Sequence, residues 1–149
     1  MMEPVTFRPY ASLRMASSLS VSLVAASALG WVMTPPSVQV LFSPIQLATL
    51  LLIIAIMVTF MMSVGLSYTR ADSTGLTFRN GLRTHTLTWG EITAIRYREG
   101  DPWAYALLRA GDADRLPLMG IQRTDRIAAD EHVAELRRRL SVAYDVEQP

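Results

Sequence analysis

The chain has no cysteine. Disulfides, thiolate metal sites and cysteine nucleophiles are therefore excluded. It has no lysine either, and all 14 basic residues are arginine. A glycine-rich phosphate loop that depends on lysine is thus excluded too. Arginine without lysine, together with abundant alanine, is the composition of a GC-rich genome, because lysine codons are AT-rich. Histidine is nearly missing, with only His85 and His132. The formal net charge is +1, so no global charge argues for nucleic-acid binding. Charge is also missing locally: no ionisable Asp, Glu, His or Arg lies between Arg14 and Arg70.

That uncharged stretch holds two apolar runs, residues 15–33 and 45–66. Each is about long enough to cross a bilayer as helix, which takes roughly 20 residues. The chain divides accordingly into an N-terminal segment 1–12, a transmembrane helical hairpin 13–66 and a C-terminal domain 67–149. Arg8 and Arg14 precede the first run, residues 34–43 carry no basic residue, and Arg70, Arg79 and Arg83 follow the second. Basic residues favour the cytoplasmic side. The expected topology is a multi-pass inner-membrane protein with both termini cytoplasmic. Ala26-Ser27-Ala28 also fits a signal-peptide cleavage site. The apolar run continues past it to Met33, which favours an uncleaved span.

Within the first run, Ser18, Ser22, Ala26 and Gly30 recur every four residues; Ala55, Thr59 and Ser63 do so in the second. Such stripes let helices approach closely in lipid. Two readings follow: the stripes face each other, or one of them docks a partner's helix. Thr34-Pro35-Pro36 ends the first helix, and Ser43-Pro44 starts the second with a cap and a proline suited to the first turn. An ion or proton pathway normally needs ionisable groups in the membrane, so a transporter is not expected.

After Tyr68 the pattern changes to short strands. Leu76 and Phe78 alternate with Thr77 and Arg79, Asn80-Gly81 reads as a type I′ hairpin turn, and residues 82–87 return. Thr88 to Glu91 has capping-box spacing. Residues 92–98 and 103–109 read as strands, 111–114 as a turn, and 116–119 as a short strand weakened by Pro117. Ala129, Val133, Leu136, Leu140 and Ala143 then fall at helical spacing, with Thr124 or Asp125 as N-cap. Leu76, Phe78, Ile95, Leu107, Val133, Leu136 and Leu140 are the expected core. Pro4 to Tyr10 reads as a turn-prone segment that places Phe7 and Tyr10 among the lipid headgroups.

The fold class is therefore a two-helix transmembrane hairpin followed by an α+β domain, an antiparallel sheet capped by a C-terminal helix. The run from Gly75 to Thr84, then Trp89, Glu91 and Ile92, then Gly100-Asp101-Pro102-Trp103 and Leu118-Met119-Gly120-Ile121-Gln122 resembles the bacterial pleckstrin-homology-like domain of small actinobacterial membrane proteins, the low molecular weight protein antigen 6-like family. The resemblance covers about residues 68–140, and members often carry two preceding spans. It implies a partial barrel plugged by the C-terminal helix. It implies little about function, because this fold is a platform for lipids, peptides and proteins.

No chemistry of catalysis stands out. His85 and His132 form no ligand pair. Gly111, Asp112 and Asp114 lack the oxygen series of a calcium loop and read as a solvated turn. The serines of the spans lie away from either histidine, so a Ser-His-acid triad has no support. The chain is read as non-enzymatic, with no metal, no cofactor and no small-molecule substrate.

The best binding candidates are Arg79 and Arg83, which flank the hairpin turn, and Arg96 and Arg98, read as one strand face. They suit anionic lipid headgroups or a protein partner, with Glu91 and Glu99 nearby to dilute them. Arg137, Arg138 and Arg139 diverge on a helix and form no patch. Trp89 and Trp103 read as core or rim. The expected partners are the lipid bilayer and another membrane protein or complex. The expected role is an accessory, assembly or scaffold subunit of a larger inner-membrane complex, for which respiratory, envelope-synthesis and secretion assemblies fit equally. The alternative is an anionic-lipid sensor at the membrane face.

Overall fold

The computed structural model describes residues 2–109 and 115–147. The 111–114 turn with Asp112 and Asp114 lies outside them. Two helices, α1 (Tyr10–Met33) and α3 (Pro44–Gly65), are joined by a short helix α2 (Pro36–Gln39). Both long helices are apolar and long enough to cross a membrane, and only 6% of the span of each is buried within the protein. Ser43 caps α3 with a full capping box: its hydroxyl accepts from the Gln46 N–H, and the Gln46 side chain accepts from the Ser43 N–H. Gln46 is thus spent on the helix start.

Among the described residues, seven strands follow the expected α+β plan, in two antiparallel sheets. One contains β1 (Val5–Phe7), β2 (Tyr68–Ala71), β3 (Gly75–Asn80) and β4 (Arg83–Thr88), in that order. The other contains β5 (Ile92–Arg96), β6 (Trp103–Leu108) and β7 (Arg115–Gln122). The first strand is a departure from the sequence reading. Val5–Phe7 is not a turn-prone lead but pairs with β2, Thr6 opposite Arg70. Phe7 is buried in the core against His132, with ring centroids 4.7 Å apart, so it does not lie among headgroups. Tyr10 is exposed. The sheet therefore takes one strand from before the hairpin and its neighbour from after it. This pairing holds both ends of the hairpin on one side of the bilayer.

The β3–β4 turn is shifted by one residue from the expected pair. Asn80 pairs with Arg83, leaving Gly81 and Leu82 as the loop. Gly81 has φ 63° and Leu82 does not share the positive sign, the pattern of a II′ rather than a I′ turn. Asn80 is thereby free to bridge the sheets: its amide donates to the Pro117 carbonyl at 2.6 Å and accepts from Met119 N–H at 3.1 Å.

β7 is longer than expected. Pro117 sits opposite Tyr105 in an outer strand, where its missing N–H costs little. Beyond Leu118 the register with β6 slips, and β7 turns onto β2 and β3. Gly120 makes that crossing possible, because a Cβ there would lie 2.3 Å from the Thr69 nitrogen. The sheets thus meet as a partial barrel, closed by α4 (Ile127–Glu147). Ala129, Val133, Leu136 and Leu140 of α4 join Leu76, Phe78, Ile92, Ile95, Leu118 and Ile121 in one core. Leu107 is only half-buried. The inward face of β6 is instead Ala104 and Ala106, one residue out of phase with the bulky side chains that suggested otherwise. Trp89 is buried and its indole N–H donates to the Asp72 carbonyl at 3.0 Å, while Trp103 is half-buried.

Candidate functional site at the junction of hairpin and domain

α4 begins later than its composition implied. Arg123–Asp125 forms one 3-10 turn, Arg126 takes φ 50°, and the helix starts at Ile127. Thr124 and Asp125 therefore do not cap α4. They act on α1 instead. α1 follows Pro9 and has no side-chain cap of its own. The Ala11 N–H donates to Asp125 Oδ1 at 3.0 Å, satisfying one of the unpaired amides of the first turn. Ser12 Oγ donates to Gln122 Oε1 at 2.5 Å and lies 3.0 Å from Thr124 Oγ1. Gln122 is itself oriented by donating from Nε2 to the Met119 carbonyl at 2.8 Å. Ser12 and Gln122 are both buried, so the bond is shielded from competing water.

The other end of the hairpin is tied down as well. A Cβ on Gly65 would meet Leu13 Cα at 3.0 Å and Ala16 Cβ at 3.1 Å, so glycine lets α3 close on α1 at the domain surface. Ser67 Oγ donates to the Ser63 carbonyl at 3.2 Å and accepts from the Gly81 N–H at 3.2 Å, linking the end of α3 to the β3–β4 turn. Pairing of β1 with β2 adds a third tie. No local pattern betrays these contacts, because Ser12 and Gln122 lie far apart in the chain.

The small-residue stripes are placed differently from one another. Ser18, Ser22, Ala26 and Gly30 all point outward, and a Cβ on Gly30 would meet nothing. The α1 face packed within the protein is Ser12, Ala16 and Ser20. On α3, Ala55 and Thr59 are exposed while Ser63 is buried with Gly65. The two stripes therefore do not face each other. An alanine- and serine-rich helix carries a four-residue repeat in more than one phase, and packing uses the phase nearest the domain.

The four arginines do not gather on one sheet. Arg79 and Arg83 flank the β3–β4 turn, with Arg79 Nε donating to the Gly81 carbonyl at 2.8 Å and Arg83 exposed. Arg96 ends β5, its guanidinium 5.3 Å from the Tyr105 ring and its Nε 3.9 Å from Asp101. Arg98 lies beyond that strand, so the two do not share a strand face. Its N–H donates to Asp101 Oδ2 at 2.9 Å, and its carbonyl accepts from Arg123. Of the three consecutive arginines expected to diverge, only Arg137 goes its own way, donating to the Ile95 carbonyl; Arg138 and Arg139 both reach the Glu135 carboxylate, and Arg139 also donates to the Glu3 carbonyl.

His132 stands beside this junction. Burial pushes its pKa below the ordinary value of 6.5, partly offset by the charges of Asp125 and Glu131. His85 stacks on Phe78 with centroids 5.3 Å apart. Among the described residues no three His, Asp or Glu side chains gather as a metal site.

Residues 67–139 match the family model described as a bacterial PH domain. A bacterial PH-like domain is therefore present, behind two apolar helices of membrane length. PH domains are non-catalytic scaffold and interaction modules. The matched region leaves out β1, which lies on the far side of the hairpin. No curated protein and no solved structure matches the chain.

Proposed function

We propose that this bacterial PH-like domain is a docking platform held at a fixed height and angle on the cytoplasmic face of the inner membrane. Its role is that of an accessory, assembly or scaffold subunit of a larger membrane complex. The observation that carries this reading is the junction, where Asp125, Gln122 and Thr124 hold the start of α1 while Ser67 and Gly65 hold the end of α3. A domain tied at both ends of its hairpin does not swing out to search for ligands. It presents one face to whatever lies beside it in the membrane. The outward stripe of Ser18, Ser22, Ala26 and Gly30 supplies a close-packing face for a neighbouring helix. The cytoplasmic assignment rests on Arg8, Arg14, Arg70, Arg79 and Arg83 against a loop without basic residues.

The lipid-sensor reading draws less support. A sensor needs its cations converging, yet Arg96 is engaged by Asp101 and Tyr105, and Arg79 by the Gly81 carbonyl. The finer readings, an actinobacterial source and a respiratory, envelope-synthesis or secretion complex as host, rest on composition and on the family resemblance.

Purification of the tagged full chain in mild detergent tests the proposal. Stable membrane-protein partners are expected. Neutralising Arg79, Arg83, Arg96 and Arg98 together is expected to leave the chain in the membrane and to weaken partner retention. Recovery of the chain alone from cross-linked membranes, with salt-sensitive liposome binding lost in the quadruple variant, would defeat it.

A further inference from the structure

The β3–β4 turn ends on a large apolar side chain. Leu82 is 75% exposed at the tip of the hairpin, next to Arg83. The turn leans on the last turns of α3, where a Cβ on Gly81 would lie 3.7 Å from Ser63 Oγ. Its position is fixed by Asn80, bonded to Pro117 and Met119, by Arg79, bonded to the Gly81 carbonyl, and by Ser67, bonded to the Gly81 N–H. The tip thus sets an exposed leucine against the end of a membrane-length helix.

Between that tip and α3 lies a groove of about 410 Å³, lined by Leu52, Ala55, Ile56, Thr59, Phe60, Ser63 and Leu82. Its floor is the small-residue stripe Ala55, Thr59 and Ser63, and its walls are the larger apolar side chains. From Leu52 to Ser63 the helix rises about 16 Å, about half of the hydrocarbon thickness of a bilayer. The groove thus spans one leaflet and stops near mid-membrane. That length fits an acyl chain. A partner's transmembrane helix would run past Leu52 through the other leaflet, and the hairpin tip would obstruct it at the domain end. Arg83, the residue after Leu82, is exposed and makes no ion pair among the described residues. It follows directly on Leu82, the hairpin residue that lines the groove.

We propose that the Gly81-Leu82 tip enters the membrane surface and, with α3, holds one acyl chain of an anionic phospholipid from the leaflet beneath the domain, its headgroup paired with Arg83. The bound lipid acts as a wedge that fixes the tip to the bilayer. The inference concerns one seated lipid rather than a sensing patch, and it stands whether or not the domain docks a protein.

The cysteine-free chain permits a direct test. The full chain with Leu82→Cys carries an environment-sensitive fluorophore in nanodiscs of phosphatidylcholine and phosphatidylglycerol, and Thr93→Cys, exposed on β5, serves as reference. Blue-shifted emission from position 82, quenched by lipid brominated in the upper acyl chain, is expected, with no such quenching at position 93. Emission from position 82 equal to water and insensitive to brominated lipid would overturn the proposal. So would cross-linking of the unlabelled Leu82→Cys variant chiefly to a second copy of the chain, which would make the groove a self-contact. The headgroup is tested by lipid analysis after delipidation. Phosphatidylglycerol enriched over its bulk fraction is expected on the parent and lost on Arg83→Gln, a surface change that leaves the core intact. Equal enrichment on both would overturn the role of Arg83.

Discussion

Asp125→Ala tests the junction at a single hydrogen bond. In the parent, Asp125 Oδ1 accepts from the Ala11 N–H at 3.0 Å, and α1 has no other side-chain cap. Removing an N-cap acceptor costs about 0.5–2 kcal/mol. At about 1.4 kcal/mol per tenfold, local opening at Ala11 should become about two- to thirtyfold more frequent. The assay is hydrogen exchange of the Ala11 amide in the full chain held in nanodiscs, which reports local opening directly. Faster exchange is expected at the start of α1, with the middle of α1 unchanged. Asp125→Asn keeps an amide oxygen that can accept the same bond, and Asn caps about as well as Asp. It should therefore restore most of the protection. Exchange at Ala11 unchanged by Asp125→Ala would show that the first turn is held without the domain. The rigid tether argued from this contact would then fall. Slow exchange lost equally in Asp125→Asn would assign the effect to charge rather than to capping.

Leu136 is fully buried in α4. Leu136→Ala should destabilise the domain by about 2–5 kcal/mol in denaturant titration, and a loss below about 0.5 kcal/mol, the range of surface changes, would mean that the helix does not plug the barrel. The folded-state pKa of His132 lies below its ordinary 6.5 because the ring is desolvated. The unfolded chain therefore binds more protons there, so stability is full above about pH 6.5 and falls as the pH drops toward the lowered folded value. The lowered carboxylates Asp72, Glu91 and Glu135 act only at more acid pH, below their ordinary 3.8 to 4.5. His132→Phe should flatten the profile between about pH 7.5 and 5.5, and an unchanged slope would remove His132 from the account. An impermeant thiol reagent applied to intact cells should label Ser37→Cys and not Thr93→Cys, and the reverse would place the domain outside.

Periodicity carries most of the fold. The two spans follow from length and lack of charge, and α4 from apolar residues three and four apart. The features that periodicity misses are set by partners distant in sequence. Val5–Phe7 is too short to read as a strand between Pro4 and Pro9, and it gains its partner only after the chain has crossed the membrane and returned. Thr124 and Asp125 have good capping chemistry, but nothing local tells which helix they serve. α1 packs in a different phase from the stripe its spacing suggests, because Ser12, Ala16 and Ser20 repeat just as Ser18 and Ser22 do. The arginine pairs are legible as charge but not as engaged charge. Tyr105 and Asp101 reach Arg96 through strand pairing and a turn that spacing alone does not locate.

The pairing of β1 with β2 also orders events during synthesis. Val5–Phe7 leaves the ribosome first and waits without a partner until both spans are inserted and Tyr68–Ala71 emerges on the same side. If one span fails to insert, the strands end on opposite faces of the membrane and cannot meet. If a signal peptidase cuts near Ala28, β1 leaves with the released peptide. In either case the N–H and C=O groups of β2 stand open along one edge, the kind of edge that invites aggregation. Phe7 is missing from the core, and Asp125 has no helix to cap. Completion of the sheet thus depends on correct insertion of both spans.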